Sequence, residues 1–318
     1  MTLFAETRGR QFELFRHFLR RMLDGEWSTA PGQWTSGAIG LISMLLPAGL
    51  LLVREGSLDP QYAFRYRQLA ASGAAAVHAG AVADQLALIV LLMCVTGGIA
   101  LLQWQSLFPS RRDYLALAGL PVKSRHIFVA RAAAVLLFFV TLVVALCTLP
   151  SLIAPFEFGG QRTLNETNRN LIGAQFLTLS AACLFTFFAI MALQGVLLNL
   201  APRGRFERFS SYAQGGLIGL FLFCGLYSWS IKDWAPETVN RLSGSGGWLP
   251  PLWFLGLNEF LTGTASPFEG VMAERALLAF ACTALTRLAL ISAPITDIGR
   301  FWWKFRSAIP RVAHPVCR

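Results

Sequence analysis

The sequence predicts an all-α integral membrane protein: six transmembrane helices, an amphipathic N-terminal interfacial helix, and both termini cytoplasmic. Three observations predict it. Of 318 residues, 55% are hydrophobic and only 14% are charged, and the mean hydropathy is +0.53. The apolar residues come in runs near the roughly 20 needed to cross a bilayer, instead of alternating with polar residues at helical or strand period as a soluble core requires. Lys and Arg gather between those runs on alternate loops, where they set orientation.

Residues 1–36 form a cytoplasmic segment. Phe12, Phe15, Leu19 and Met22 recur at helical spacing while Arg8, Arg16, Arg20 and Asp24 take other faces. That pattern predicts an amphipathic helix on the inner leaflet; a soluble helix packed on the loops carries the same pattern. Trp27 and Trp34 stand just before the first span, where indoles favour the interface. The first apolar run lies behind this charged segment, so it is expected to stay as an anchor and not to act as a cleaved signal peptide.

Windows of about 19 residues give a transmembrane domain over 37–293, with spans at 37–54, 85–107, 127–150, 171–200, 212–230 and 275–293. Pro47 interrupts the first. The fourth, about 30 residues or roughly 45 Å at 1.5 Å per residue, must tilt or project beyond the hydrocarbon. Arg287 falls in the sixth run, where a central Arg costs about 2.5–3.5 kcal/mol. An early helix end there, with the guanidinium snorkelling to the inner interface, would relieve that cost. Residues 294–318 form a basic cytoplasmic tail.

The basic residues assign the sides. Arg8, Arg10, Arg16, Arg20 and Arg21 precede the first span; Arg111, Arg112, Lys123, Arg125 and Arg131 follow the second; Arg203, Arg205 and Arg208 follow the fourth; Arg300, Lys304, Arg306 and Arg311 follow the sixth. The intervening loops lack that excess: 151–170 sets Arg162 and Arg169 against Glu157 and Glu166, and 231–274 is net acidic. The net charge of +10 therefore sits beside the membrane, where anionic lipid, not nucleic acid, is the expected partner.

Other chemistries find little support. Cys94, Cys147, Cys183, Cys224 and Cys282 fall in predicted spans and Cys317 near the end, which reads as apolar packing. No CxxC pair occurs and His17, His78, His126 and His314 are scattered, so no metal is expected. HExxH and GxSxG are absent, and so is an acidic pair across spans. The chain is expected not to be an enzyme. Asp84 falls at a predicted span boundary, which leaves a proton-coupled carrier without its buried carboxylates. Gln103, Gln105, Gln175, Gln194 and Asn199 lie in or near span ends, where they either join helices by hydrogen bonds or line a path.

Two segments carry more information. In the loop 107–131, LFPSRRDYLALAGLPVKSRHIFVAR, Arg111, Arg112 and Asp113 are followed by Tyr114, Leu115, Leu117 and Leu120, then a break at Gly119 and Pro121. A short helix with an apolar face ended by Gly and Pro is a means of docking a cytosolic partner; a solvated basic loop that sets topology fits the periodicity as well. The external loop 231–274 holds Trp234, Trp248, Trp253, Phe254 and Phe260 among repeated Pro and Gly. An amphipathic or re-entrant helix capping the outer mouth and an aromatic belt anchoring the last spans both account for it.

An apolar span ending in Trp104 and followed by LFPSRRDYLALAGLPV resembles poorly characterised bacterial permeases of the ABC-2 exporter type. WLPPLWFLGLNEFLTG, Trp248 to Gly263, is similar to the segment before their final span. The resemblance extends to the overall plan and implies a permease half in the bacterial inner (plasma) membrane. It would pair with a second permease half, either a copy of itself or a homologue. It would bind a separate ABC ATPase subunit through the loop between spans two and three. Leu115, Leu117 and Leu120 would fill a cleft on the ATPase, Arg111, Arg112 and Asp113 would fix register, Gly119 with Pro121 would shape the turn, and Tyr114 belongs to the same docking segment. ATP would be hydrolysed on the partner, since this chain has no GxxxxGK[ST] loop and is expected to bind no cofactor. PRGRFERFSS at 202–211 reads as a topology-setting loop or as a second contact. A non-transporting membrane scaffold binding another cytosolic protein is the alternative expectation.

Overall fold

A computed structural model describes residues 60–104, 124–158, 166–200, 206–231, 247–263 and 267–292, together with the isolated helical positions Glu13 and Arg16. The rest of the predicted interfacial helix, the first predicted span at 37–54, the docking residues 111–121 and the tail 294–318 lie outside the described residues.

Seven helices and no strand occur among the described residues: α1 (Pro60–Ser72), α2 (Ala74–Leu102), α3 (Ser124–Phe158), α4 (Glu166–Leu200), α5 (Phe206–Ile231), α6 (Pro250–Thr262) and α7 (Pro267–Ser292). Proline opens α1, α6 and α7, at the helical position where a missing N–H costs nothing. Four helices are long and apolar enough to cross a membrane, over Ala76–Leu102, Val129–Ile153, Asn170–Leu197 and Phe209–Ser228. They coincide with predicted spans two to five, and such a set is compatible with a multi-pass membrane protein. In a bilayer every backbone group must be paired within the chain, and several hydroxyls add to that pairing: Thr141, Ser151, Thr186 and Thr283 each donate to the carbonyl one turn earlier. Helix α7 covers the sixth predicted span but starts at Pro267, so Glu269, Glu274 and Arg275 fall in its first turns.

Helices α2 and α4 run parallel through the centre. Gln85 bonds Gln175 at 3.0 Å, and Gln194 bonds the Trp104 carbonyl at 2.8 Å. Both pairs are separated by 90 residues, so the register holds from residue 85 to residue 104, about 28 Å at ~1.5 Å per residue. On the same offset Thr96 falls level with Thr186, so two polar pairs recur in step along the two helices. The outer helices pack crosswise in sequence: α5 lies along α2 and α3 along α4, whereas α2 and α3, like α4 and α5, touch far less. The α3–α4 contact carries stacked Phe139 and Phe187, with centroids 4.1 Å apart, and the buried thiols of Cys147 and Cys183, with sulfurs 3.8 Å apart.

Helix α6 starts inside this bundle and runs back out. Phe254 packs on Phe185 in the middle of α4, while Glu259 lies beside His78 near the start of α2, so α6 is antiparallel to both. Leu252, Phe254, Leu255 and Leu257 are buried, so Pro250–Thr262 is a short helix packed into the bundle. The non-helical backbone that leads into it is satisfied within the protein, since Arg275 and Trp253 both donate to the Gly247 carbonyl, at 2.7 and 2.8 Å. Gly256 lets α6 approach α7 closely: a Cβ there would stand 2.5 Å from the Met272 Cβ and 2.8 Å from the Glu269 carbonyl oxygen.

Candidate functional site

Polar side chains gather at the two ends of the α2–α4 seam. At the carboxy-terminal end of α2, Trp104 is only 3% exposed. Its carbonyl accepts from Gln194 of α4, its indole donates to Ser210 of α5 at 2.8 Å, and Gln214 of α5 donates to the nearby Leu101 carbonyl at 2.8 Å. The end of α2 is thereby clamped to two other spans directly before residues 107–131. Sequence reading noted Gln194 and the terminal Trp104 separately; the structure joins them.

At the other end, helices α1, α2, α4 and α6 meet. Gly73, the single residue between α1 and α2, has φ 111°, a backbone conformation that glycine adopts readily. The sharp break turns α1 back so that Arg65 and Tyr66 reach Asp84. Arg65 Nη1 lies 2.9 Å from Asp84 Oδ1 and Tyr66 Oη lies 2.8 Å from Oδ2, and Asp84 is 4% exposed. This corrects the expectation that Asp84 sits at a span boundary. Helix α2 begins at Ala74 because its alanine-rich first turns are strong helix formers despite low hydropathy, and Asp84 lies ten residues inside it.

Glu259, also buried, is the second acid that sequence reading missed. Its carboxylate lies 3.7 Å from His78 Nε2, too long for a hydrogen bond. Beside it Asn258 is buried as well, and its Oδ1 finds no hydrogen-bond partner among the described residues; the same holds for Gln175 Nε2 and Thr178 Oγ1 on α4. The adjacent Asn and Glu in the otherwise apolar PPLWFLGLNEFLT of α6 were the available signal. Ionisable groups buried between spans are costly and mark functional positions. Among the described residues no group of three His, Cys, Asp or Glu side chains could hold a metal ion.

Of the polar residues picked out from sequence, Gln175 and Gln194 are buried and bridge helices, while Gln103 is part-exposed at the end of α2. Gln105 and the Asn199 side chain lie outside the described residues, as do the docking candidates Arg111, Arg112, Asp113, Tyr114, Leu115, Leu117, Leu120 and Pro121. No protein-family model, curated protein or solved structure matches the chain.

Proposed function

We propose that the chain is the membrane-spanning permease half of an ATP-driven exporter of the ABC-2 type in a bacterial inner membrane. Six spans are formed by 37–54, α2 to α5 and α7, with both termini and the loop 107–131 in the cytoplasm and α1 with the α6–α7 turn outside. ATP is hydrolysed on a separate subunit, and a second permease half completes the translocation path.

The clamp at Trp104 is the observation that carries this reading. An ATPase pushing on residues 107–131 acts next to a point where α2 is fixed to α4 and α5 by three hydrogen bonds. A displacement of the loop is therefore passed to three spans together, which is what alternating access driven from outside the membrane needs.

Co-expression with a Walker-motif ATPase encoded beside this chain, followed by purification in detergent, tests the reading. Wild type should retain the ATPase, and Leu117→Asp and Leu120→Asp should lose it while inserting normally. An unchanged complex removes the loop from the mechanism. Failure of wild type to bind any ATPase favours the scaffold.

A further inference from the structure

Arg275 of α7 is exposed, and among the described residues no carboxylate pairs with it. Its guanidinium is held in one place: Nη1 donates to the Gly247 carbonyl at 2.7 Å, and the missing Cβ of Gly247 makes room, since a Cβ there would stand 2.8 Å from Nη1. Its other N–H donors remain for a ligand. Beside that carbonyl Trp248 is 87% exposed, and Val271 and Leu278, one turn to either side of Arg275 on α7, are exposed as well. A fixed cation and an apolar surface therefore share one face. The depth of this face follows from the packing. Helix α7 runs against α6, with Met272 beside Gly256 and Arg275 beside Gly247, and α6 runs against α4, so α7 and α4 point the same way. Phe280 packs on Phe188 of α4, with centroids 5.9 Å apart, which puts Arg275 near the level of Cys183, in the middle of the apolar stretch Asn170–Leu197. A cation at that depth is costly in hydrocarbon and marks a path for substrate or ion.

We infer that Arg275, Trp248 and the exposed apolar face of α7 bind an amphiphile with a phosphate headgroup, and that the exporter's substrate belongs to this class. The planar guanidinium takes phosphate oxygens in pairs, while the indole and Leu278 lie along the apolar chains. Glu274 is exposed too, but about 100° of helical turn separates it from Arg275. It borders the site and repels excess negative charge, which favours a headgroup with a single phosphate over a polyanion. Naming the substrate rests on the permease reading, whereas the binding itself does not.

Thermal unfolding of the purified full chain in a neutral detergent, titrated at constant ionic strength with dihexanoylphosphatidylglycerol, provides the test, with dihexanoylglycerol and sodium phosphate as the other arms. The phosphate amphiphile should raise the Tm saturably, since a ligand that binds only the folded state stabilises it by mass action, and neither of the other probes should. Arg275→Gln should abolish the rise, Arg275→Lys should keep part of it because an ammonium still binds phosphate as a point charge, and Glu274→Gln should reach half the rise at a lower probe concentration. Trp248→Ala, which truncates an exposed ring, should need several-fold more probe, and Leu222→Ala, also exposed on α5, should titrate like wild type. An equal rise in wild type and Arg275→Gln would overturn the inference. So would the same rise with dihexanoylglycerol, which carries no phosphate, or with sodium phosphate alone. The titration contains no ATPase, so its outcome is independent of whether the chain binds one.

Discussion

Replacing Arg65 by Met should loosen α1 from α2 while keeping most of the side-chain volume. In the native chain Asp84 is 4% exposed, with Arg65 on one oxygen and Tyr66 on the other. Removing one partner of a fully buried ion pair costs about 3–5 kcal/mol. The Arg65 side chain is 28% exposed, so water returns to the vacated position and the expected loss falls to about 1–3 kcal/mol. Tyr66→Phe removes one hydrogen bond to a charged acceptor and should cost about 1.5 kcal/mol. Asp84→Asn removes the charge that Arg65 answers, so Arg65→Met combined with Asp84→Asn should cost less than the sum of the two changes, by about 1–2 kcal/mol. Equilibrium unfolding in mixed micelles, driven by increasing dodecyl sulfate and followed by helical circular dichroism, measures all four variants against wild type. Additivity within about 0.3 kcal/mol would show that the two side chains do not interact and would refute the clasp.

Gly256→Ala should destabilise the chain by about 1–3 kcal/mol through overpacking against Met272 and Glu269. Gly270→Ala, whose Cβ meets open space, should be neutral or stabilising by up to about 1 kcal/mol, and the same unfolding assay reads the opposite signs. A cysteine at exposed Ala71 should react with an impermeant maleimide added outside intact cells, and one at exposed Ser211 only after permeabilisation; the reverse pattern would invert the proposed orientation.

Four spans were legible because each is a long apolar run, a signal that needs no partner to be recognised. The start of α2 was placed eleven residues too late because AAAVHAGAVAD is poor in large apolar residues, although alanine propagates a helix well. Helix α1 was missed for a related reason: PQYAFRYRQLAAS has no span-like hydropathy, and Arg65 and Tyr66 gain meaning only when Gly73 folds them onto Asp84. The parallel seam was invisible in principle, since Gln85 and Gln175 are 90 residues apart and nothing local links them. The segment proposed for docking was the reverse case, prominent in sequence through its leucines and basic residues but outside the described part of the fold. Its anchor at Trp104 is what the structure adds.

The central claim is that residues 107–131 couple this chain to an ATPase, and crosslinking from the loop tests it most directly. A photoreactive amino acid at Leu117 or Leu120, activated in intact cells, should give an adduct with a protein carrying GxxxxGK[ST], and a nucleotide trapped at that motif should change its yield. Adducts with lipid alone, or with a partner that lacks a nucleotide-binding motif, would contradict the account.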